Sequence, residues 1–327
     1  MEVLDAAAVR AGLDPAALVE ALREVFAGPG PVVPERTLEP LGGDPPATLL
    51  LKPAWGLHGW LGVKVATHHP ANGERGLPAI QATYLLLEEA TGRPVAVLDG
   101  TELTRWRTAA ASALAADHLA PERVEEHLLV GAGNVSAAVP ACYAAVRDVG
   151  LTRVWARDRG RAAALVEQLR TQGYAADVAD DLRAAVRTAD VVTTATSATS
   201  PLVLGRDVRP GTHVDLVGSF LPTMTEADEE LMTAARVVVD VAEARHTAGE
   251  LVGPLGRGTL TEQDVATTLA DVVSGRAPGR TSPEQVTAFV SVGTAAEDLA
   301  AGVLAWRATT SSRASDRPGR RGRGARP

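Results

Sequence analysis

The sequence feature that most constrains the fold is an apolar run, His127–Ser136, that ends in a glycine-rich turn. It reads His-Leu-Leu-Val-Gly-Ala-Gly-Asn-Val-Ser, and this pattern predicts a strand, a tight turn and the start of a helix. Gly131 can adopt the positive φ angle that the turn needs, and Gly133 lets the backbone approach a pyrophosphate closely. The free N–H groups of the first helical turn would then face the anion. The run therefore predicts a dinucleotide-binding turn.

The context of this turn extends the prediction to a whole domain. A second short apolar strand, Arg153–Arg157, ends about 25 residues later, which is the spacing of a mononucleotide-binding unit. We predict strands, most of them separated by helices, at 127–130, 153–157, 175–178, 190–196, 212–218 and 236–241. Six strands in this order predict an α/β fold with a Rossmann-type, doubly wound parallel sheet. Pro140 falls inside the first predicted helix and removes one backbone donor there.

The first third of the chain has a different pattern. A helix is predicted over residues 5–27, with Asp14 as a cap and Pro15 at a first helical position. Short strands separated by turn residues follow at Ala47–Leu51, Gly62–Thr67, Ile80–Leu87 and Pro94–Leu98. This pattern is typical of an antiparallel sheet. An alanine-rich helix, Thr104–Leu119, then leads to the parallel sheet.

Two further segments are predicted near the end of the chain. Ser282 and Pro283 predict the start of a helix. Residues 310–327 are rich in Ser, Arg, Gly and Pro without periodicity, and we predict a disordered tail.

Composition excludes several classes of protein. With 327 residues, the chain is long enough for one large or two medium domains. Its net charge of −8 argues against nucleic acid as its main partner. The single cysteine, Cys142, excludes an internal disulfide and a cysteine-rich metal site. His68 and His69 have no third ligand at suitable spacing, so no metal is assigned. No run is long enough to cross a bilayer and no signal peptide is apparent, so we expect a soluble, cytoplasmic protein.

The loops after the parallel strands supply candidate cofactor contacts. Arg157 and Arg159 follow the second strand and suit the 2′-phosphate of NADPH, whereas Asp158 between them keeps NADH possible. Small and hydroxyl residues follow the fourth and fifth strands, where the phosphates and the nicotinamide ring are expected. We assign to the cofactor Thr83, Arg107, Thr108, Gly131, Gly133, Asn134, Val135, Arg157, Asp158, Arg159, Thr196, Ser197, Val217 and Ser219.

Three basic residues outside these loops are candidates for binding an anionic substrate. Lys64 alternates with two valines on a strand, Arg107 lies early in the alanine-rich helix, and Arg36 follows Pro34-Glu35. Taken alone, each would be interpreted as a solvated side chain, because lysine and arginine are rarely buried.

Together these stretches resemble the ornithine cyclodeaminase/mu-crystallin family, roughly over residues 30–310. The motifs that carry the resemblance occur in the family's order: Lys52–Trp55, Gly62–Val65, Leu103–Ala110, the Gly131 turn, His213–Gly218 and Ser291–Asp298. The resemblance implies a homodimer in which the Rossmann domain is inserted into an α+β substrate-binding and dimerisation domain. It places the latter at 1–112 and 290–309, and the NAD(P)-binding domain at 113–289.

The resemblance also gives roles to the basic residues. Arg36, Lys64 and Arg107 match the groups that hold the substrate carboxylate, and Lys64 is the one nearest the reacting carbon and nitrogen. Thr83 matches a position near the nicotinamide amide.

One departure from the family pattern decides between reactions. Cyclodeaminases have an aspartate two residues after the glycine that ends the fifth strand, and this chain has Phe220 there. The segment Val217–Met224 is similar instead to the family's cyclic ketimine reductases, which act on Δ1-pyrroline-2-carboxylate and Δ1-piperideine-2-carboxylate. Phe220 would form a wall of the pocket for the substrate ring, and Lys64 would donate or hold a proton.

The resemblance therefore implies an NAD(P)H-dependent ketimine reductase that forms proline or pipecolate. Two alternatives within the family are ornithine cyclodeaminase and alanine dehydrogenase. A third is a non-catalytic, crystallin-like ligand-binding protein, which the presence of all three basic residues disfavours.

Overall fold

The computed structural model describes residues 1–315, which form sheets of six, seven and two strands. The strands of the first sheet are β1 (Glu2–Leu4), β2 (Thr37–Gly42), β3 (Ala47–Leu57), β4 (Trp60–His68), β5 (Ile80–Glu88) and β6 (Pro94–Asp99). Their order is β1-β6-β5-β4-β3-β2, and all pairs except β1 with β6 are antiparallel. The antiparallel sheet predicted for the first third is therefore confirmed, with two additional strands. β1 is too short to show a pattern, and β2 is exposed at every residue and so lacks apolar alternation.

The second sheet is parallel throughout. Its strands are β7 (Val124–Val130), β8 (Val149–Trp155), β9 (Ala176–Val178), β10 (Val191–Thr194), β12 (His213–Leu216), β14 (Arg236–Val239) and β15 (Thr287–Val290). Their order is β14-β15-β12-β10-β7-β8-β9. The strands after β7 are added first on one side of it and then, from β10 onward, on the other side, as in a doubly wound fold. This confirms the α/β, Rossmann-type prediction. The remaining pair, β11 (Thr199–Val203) and β13 (Thr225–Ala227), is also parallel.

Helices pack against both sheets. They are α1 (Ala6–Gly12), α2 (Pro15–Ala27), α3 (Gly100–Leu119), α4 (Val139–Tyr143), α5 (Arg159–Thr171), α6 (Leu182–Thr188), α7 (Glu229–Ala234), α8 (Ala244–Thr247), α9 (Gly249–Arg257), α10 (Leu269–Val273) and α11 (Ala295–Ser315). The chain passes from the first sheet to the second through α3, and returns from β15 into α11. The predicted boundary between residues 112 and 113 falls inside α3.

The structure corrects the predicted helix over residues 5–27. It is two helices, because Asp14 precedes a proline and is extended, with ψ of 128°. Asp14 then caps α2 by accepting from Ala17 N, and Pro15 occupies the start of that helix, as predicted.

The helix predicted at Ser282 is wrong. Residues 281–286 form a turn, and the fully buried strand β15 follows, between β12 and β14. A Ser-Pro pair favours a turn as much as a helix start. The four-residue buried strand that follows has no apolar alternation that would distinguish it from a buried helix segment.

Two other details differ from the predictions. Residues 134–138 form irregular turns and α4 begins at Val139, so Pro140 lies in the first turn, where its missing N–H removes no hydrogen bond. At the other end, α11 continues through residues 310–315, which are therefore helix rather than tail. The rest of the predicted tail, residues 316–327, lies outside the described residues.

Candidate active site

The carboxyl ends of the parallel strands meet at one edge. The register aligns Val130 with Trp155 and Thr194, and it aligns Leu216 with Thr194 and Val290. The loops that carry the predicted cofactor residues, and the segment that follows β15, therefore open on the same side of the sheet.

The Gly131 turn fits a pyrophosphate. Gly131 has φ of +111°, and a Cβ there would lie 2.8 Å from the carbonyl oxygen of Ala195, so only glycine is accommodated. Around the exposed Gly133, a Cβ would meet nothing within 4 Å. Within residues 1–315, the backbone N–H groups of residues 132–136 donate no hydrogen bond. This row of free donors, which includes Asn134 and Val135, is available to an anion.

The charged residues after β8 have different partners. Asp158 caps α5 by accepting from Gly160 N at 2.9 Å, and Arg159 donates to Asp180 at 2.8 Å. The side chain of Arg157 is exposed and makes no hydrogen bond or ion pair within the described chain. Arg157 is therefore the residue most available to a ligand at this position.

A buried glutamate joins the loops after β10 and β12. Glu226 accepts from Thr194 Oγ1 at 2.8 Å and from Gly218 N at 2.7 Å, and both Thr196 N and Thr196 Oγ1 donate to it at 2.7 Å. A Cβ on Gly218 would lie 2.1 Å from the carbonyl oxygen of Thr196. Glu226 thus fixes the positions of Thr196 and of the Val217–Ser219 segment, whereas Ser197 stays exposed.

A second acid behind the same loop is unpartnered. Glu250 is 2% exposed, and neither of its carboxylate oxygens has a hydrogen-bond partner among residues 1–315. Burial raises its pKa to about 8, and neighbouring Glu226 adds to the increase. Glu250 is therefore mostly protonated at neutral pH.

The predicted basic residues lie in a buried cluster at this edge. Lys64 Nζ donates to Asp298 Oδ1 at 2.7 Å and to Thr104 Oγ1 at 3.2 Å. Arg107 Nε donates to the same Asp298 oxygen at 3.1 Å, and Arg107 Nη1 donates to Glu297 Oε2 at 2.8 Å. Lys64 is only 3% exposed, so the interpretation as a surface lysine is wrong.

The turn between β15 and α11 completes the cluster. Lys52 donates to the carbonyl oxygen of Gly293 at 2.9 Å, and Arg36 donates to that of Val292 at 3.4 Å. Asp240 accepts from Gly293 N at 2.6 Å. Gly293 has φ of +74°, and a Cβ there would lie 2.4 Å from Arg107 Nη1, so glycine allows the guanidinium to pack on the turn.

Burial and charge set the protonation of this cluster. Burial lowers the pKa of Lys64 well below its usual value; Asp298 opposes the change, whereas Lys52 and Arg107 add to it. Burial alone would raise the pKa of Asp298, but Lys64, Arg107 and Lys52 outweigh it and hold that pKa below its usual range. Asp298 stays ionised because it faces three cations, so the proton of the Lys64–Asp298 pair is held by Lys64. Burial, opposed by Arg107, raises the pKa of Glu297 to about 7.

The cluster has more basic than acidic groups. Its four basic side chains are Arg36, Lys52, Lys64 and Arg107, and its three acidic side chains are Asp240, Glu297 and Asp298. Arg36 Nη2 is buried and has no acceptor among the described residues. One added carboxylate would balance the charge when Glu297 is ionised.

The remaining predicted residues occupy different positions. Phe220 is half-buried on the loop after β12 and contacts the ring of His68, which ends β4. Thr108 is buried on α3 next to Arg107. Thr83 is exposed, and it pairs with Val65 on the face opposite Lys64 and Tyr84. The structure therefore does not bring Thr83 to the cluster.

Sequence reasoning missed several acidic partners. Glu297 and Asp298 stand in the alanine-rich run Ala295–Ala301, where two adjacent charges in an otherwise apolar helix indicate buried ion pairs. Asp240 follows the last valine of β14, at the same edge as the other loops. Within residues 1–315, no group of three or more His, Cys, Asp or Glu side chains is arranged to hold a metal ion. None of the helices described is long and apolar enough to cross a bilayer.

Comparisons with known proteins agree with this geometry. The sequence model of the ornithine cyclodeaminase/mu-crystallin family matches residues 19–311. The chain is 39% identical over 287 residues to the Δ1-pyrroline-2-carboxylate reductase of Paracoccus denitrificans, covering 86% of this chain and 88% of that protein.

Two solved structures share the whole architecture. One is Thermococcus litoralis Δ1-pyrroline-2-carboxylate reductase in complex with NADH and L-proline, at a TM-score of 0.92 and 28% identity, covering 96% of this chain and 98% of that one. The other is an archaeal alanine dehydrogenase dimer with bound NAD, at a TM-score of 0.89 and 28% identity, covering 96% and 97%.

Proposed function

Because this chain belongs to the ornithine cyclodeaminase/mu-crystallin family, we propose that it is an NAD(P)H-dependent reductase of cyclic ketimine carboxylates. Its substrates are Δ1-pyrroline-2-carboxylate, Δ1-piperideine-2-carboxylate or both, and its products are proline and pipecolate. The reaction adds a hydride to C2 of the ring and a proton to the ring nitrogen, and the C=N double bond becomes a single bond. The site must therefore hold a carboxylate and supply one proton.

The surplus positive charge of the buried cluster supports this proposal most directly. Arg36, Lys52, Lys64 and Arg107 outnumber the cluster's three acids, and a substrate carboxylate supplies the missing negative charge. Charge-assisted hydrogen bonds to basic side chains also fix the orientation of a carboxylate, and with it the adjacent C2 atom.

Lys64 is suited to be the proton donor. Its pKa is lowered by burial, so its ammonium group loses a proton more readily than an exposed lysine does. Asp298 and Thr104 fix the position of Nζ through hydrogen bonds of 2.7 and 3.2 Å. Asp298 remains paired with Arg107 when Lys64 is neutral, so proton transfer does not leave an isolated buried carboxylate.

The free N–H groups after Gly131 would hold the pyrophosphate of the cofactor, and the loops joined by Glu226 would hold its nicotinamide half. When bound, the reduced nicotinamide supplies the hydride. Thr196, Ser197, Val217 and Ser219 belong to these loops.

The loop after β12 favours reduction over cyclodeamination. Between Gly218 and Met224 it carries no acidic side chain, and Phe220 stands where the family's cyclodeaminases have aspartate. The nearby acids Glu297 and Asp298 are paired with basic residues, so neither is free to bind and activate a substrate amine.

The purified protein tests this proposal. NADH and NADPH oxidation should be followed with each cyclic imine, with pyruvate plus ammonia, and with no second substrate, and ammonia release should be measured with ornithine and NAD⁺. We expect reduction of at least one imine and no useful ammonia release from ornithine. Turnover confined to pyruvate plus ammonia would indicate an alanine dehydrogenase, and turnover with none of these substrates would favour a ligand-binding protein.

We predict a preference for NADPH, because Arg157 is exposed, has no ion pair within residues 1–315, and lies beside the expected position of the adenosine ribose. Arg157→Ala should raise the KM for NADPH much more than the KM for NADH. Arg206→Ala is a matched control, since Arg206 is also exposed but lies beside Asp207, which pairs with the last turn of α6. Equal effects of Arg157→Ala on both cofactors would contradict the assignment.

We also predict a homodimer formed by the substrate-binding domain, which we assign to residues 1–112 and 290–309, with the cofactor domain at 113–289. Strand β2 is an exposed edge, and the large apolar side chains Leu38, Leu41, Val65 and Ile80 are exposed on the first sheet and its edge. A second copy would cover such surfaces. Light scattering at micromolar concentration should give twice the mass of one chain, and a monomeric mass would exclude this assembly.

A further inference from the structure

One ring contact joins the first sheet to the loop after β12. The rings of His68 and Phe220 meet edge to face, with centroids 5.5 Å apart and planes at 84°. His68 is the last residue of β4, and Phe220 belongs to the loop that Glu226 anchors through Gly218. The contact therefore joins the end of β4 to the loop that follows β12.

His68 and Lys64 face the same side of the first sheet. They are four residues apart on β4, so their side chains point to one face, with about 13 Å between their Cα atoms. Lys64 reaches into the basic cluster, and His68 reaches Phe220. The basic cluster and the ring pair of His68 and Phe220, here called the aromatic wall, therefore lie on the same face of β4.

This wall is uncharged, and one side of it belongs to an anchored loop. Burial, together with neighbouring His69, lowers the pKa of His68, so its ring is uncharged at neutral pH. The loop that carries Phe220 is anchored at its start, where Gly218 N donates to Glu226, and the lack of a Cβ on Gly249 lets the carbonyl oxygen of Met224 pack closely at its end. Displacing Phe220 would therefore disturb an anchored and closely packed loop.

The chemical structure of the substrate determines which of its atoms would contact this wall. In a cyclic ketimine carboxylate the carboxylate and the nitrogen are both attached to C2, and the ring methylenes extend away from them. With the carboxylate in the basic cluster, the methylenes point toward the wall, where a six-membered ring needs one methylene more space than a five-membered ring.

We infer that His68, by holding Phe220, determines which substrate ring size the site accepts. This inference rests on the proposed function, and it makes His68 a positioning residue and Phe220 the residue that contacts the ring. A pocket that discriminates by one methylene typically does so by about tenfold or more.

The test compares binding of L-proline and L-pipecolate, which differ by one methylene, in the presence of reduced cofactor, where neither can react. Calorimetry on the wild type should give affinities that differ between the two ligands. His68→Ala should bring their ratio closer to one, by roughly tenfold if the wall is lost. His68→Phe retains an aromatic ring and should keep the wild-type ratio. His69→Ala, which removes the adjacent histidine, is the matched control and should also leave the ratio unchanged.

The outcomes separate this inference from the proposed function. If the wild type binds neither ligand, the proposed function fails. If it binds them and His68→Ala leaves the ratio unchanged, or weakens both ligands equally, the inference is wrong and the proposed function stands. If His68→Ala does not fold, Phe220→Leu, which shortens the wall from the opposite side, must shift the ratio, and an unchanged ratio there overturns the inference.

Discussion

Replacing Lys64 with alanine is expected to lower kcat/KM for the cyclic imine by at least roughly tenfold, while cofactor affinity stays nearly unchanged. A charge-assisted hydrogen bond contributes about 1.5–3 kcal/mol, which corresponds to a factor of ten or more, and loss of the proton donor adds to it. Lys64 lies on the first sheet, away from the Gly131 turn that would hold the pyrophosphate. Steady-state kinetics and a fluorescence titration with the reduced cofactor measure the two effects separately.

Two further variants separate charge from proton transfer. Lys64→Met keeps most of the side-chain volume without the charge, and we expect it to behave like Lys64→Ala. Lys64→Arg keeps the charge but does not give up a proton near neutral pH, so kcat should fall more than KM rises. Unchanged imine reduction by Lys64→Ala would falsify the assigned role.

The second large effect concerns stability. Glu250→Gln should stabilise the fold increasingly as the pH rises from 5 to 8. Glu250 has a pKa of about 8 when folded, above its ordinary value when unfolded. Between these values the folded chain keeps a proton that the unfolded chain has lost, so the wild type loses stability as the pH rises, by at most about 1.4 kcal/mol per pH unit. Glutamine does not titrate and avoids this loss.

Unfolding measured at pH 5, 6.5 and 8 checks this expectation. The difference between Glu250→Gln and the wild type should grow over this range and level off at higher pH. Glu284→Gln, at an exposed position in the turn before β15, is the control and should follow the wild-type curve. Parallel curves for Glu250→Gln and the wild type would show that Glu250 is ionised throughout the range.

Local patterns in the sequence predicted the elements that carry them. The Gly131 turn, the Asp14-Pro15 helix start and the six predicted parallel strands each have a local cause, namely a backbone conformation, a cap or an apolar run. β15 could not be predicted in this way, because its four buried residues form a strand only by pairing with β12 and β14, which lie on either side of it in the sheet. β1 joins its sheet only by pairing with β6, which is almost a hundred residues away in the chain.

The candidate site likewise has residues that could be predicted from the sequence and residues that could not. The basic residues could be named from the sequence and the family resemblance, but their acidic partners could not be paired with them. Lys64 and Asp298 are 234 positions apart, and only the return of the chain through β15 and α11 brings them together. The alternation around Lys64 showed that it points away from its valine neighbours, yet which face is buried depends on α11. Thr83 is assigned to the site from the resemblance, but its position on β5 places its side chain on the face of the sheet opposite Lys64.

The chain passes from the first sheet to the second through α3 and returns through α11, and ion pairs join these two passages. Arg107 lies on the outgoing passage, α3, and Glu297 and Asp298 lie at the start of the returning one, α11. In the predicted division all three residues belong to the substrate-binding domain, 1–112 and 290–309, so a rotation of the cofactor domain leaves these buried ion pairs intact. We therefore expect the passages to act as a hinge, and the two sheets to move apart near His68 and Phe220, whose ring contact would have to separate. Substrate would then enter past these two rings, and its carboxylate would move inward to the basic cluster near the hinge.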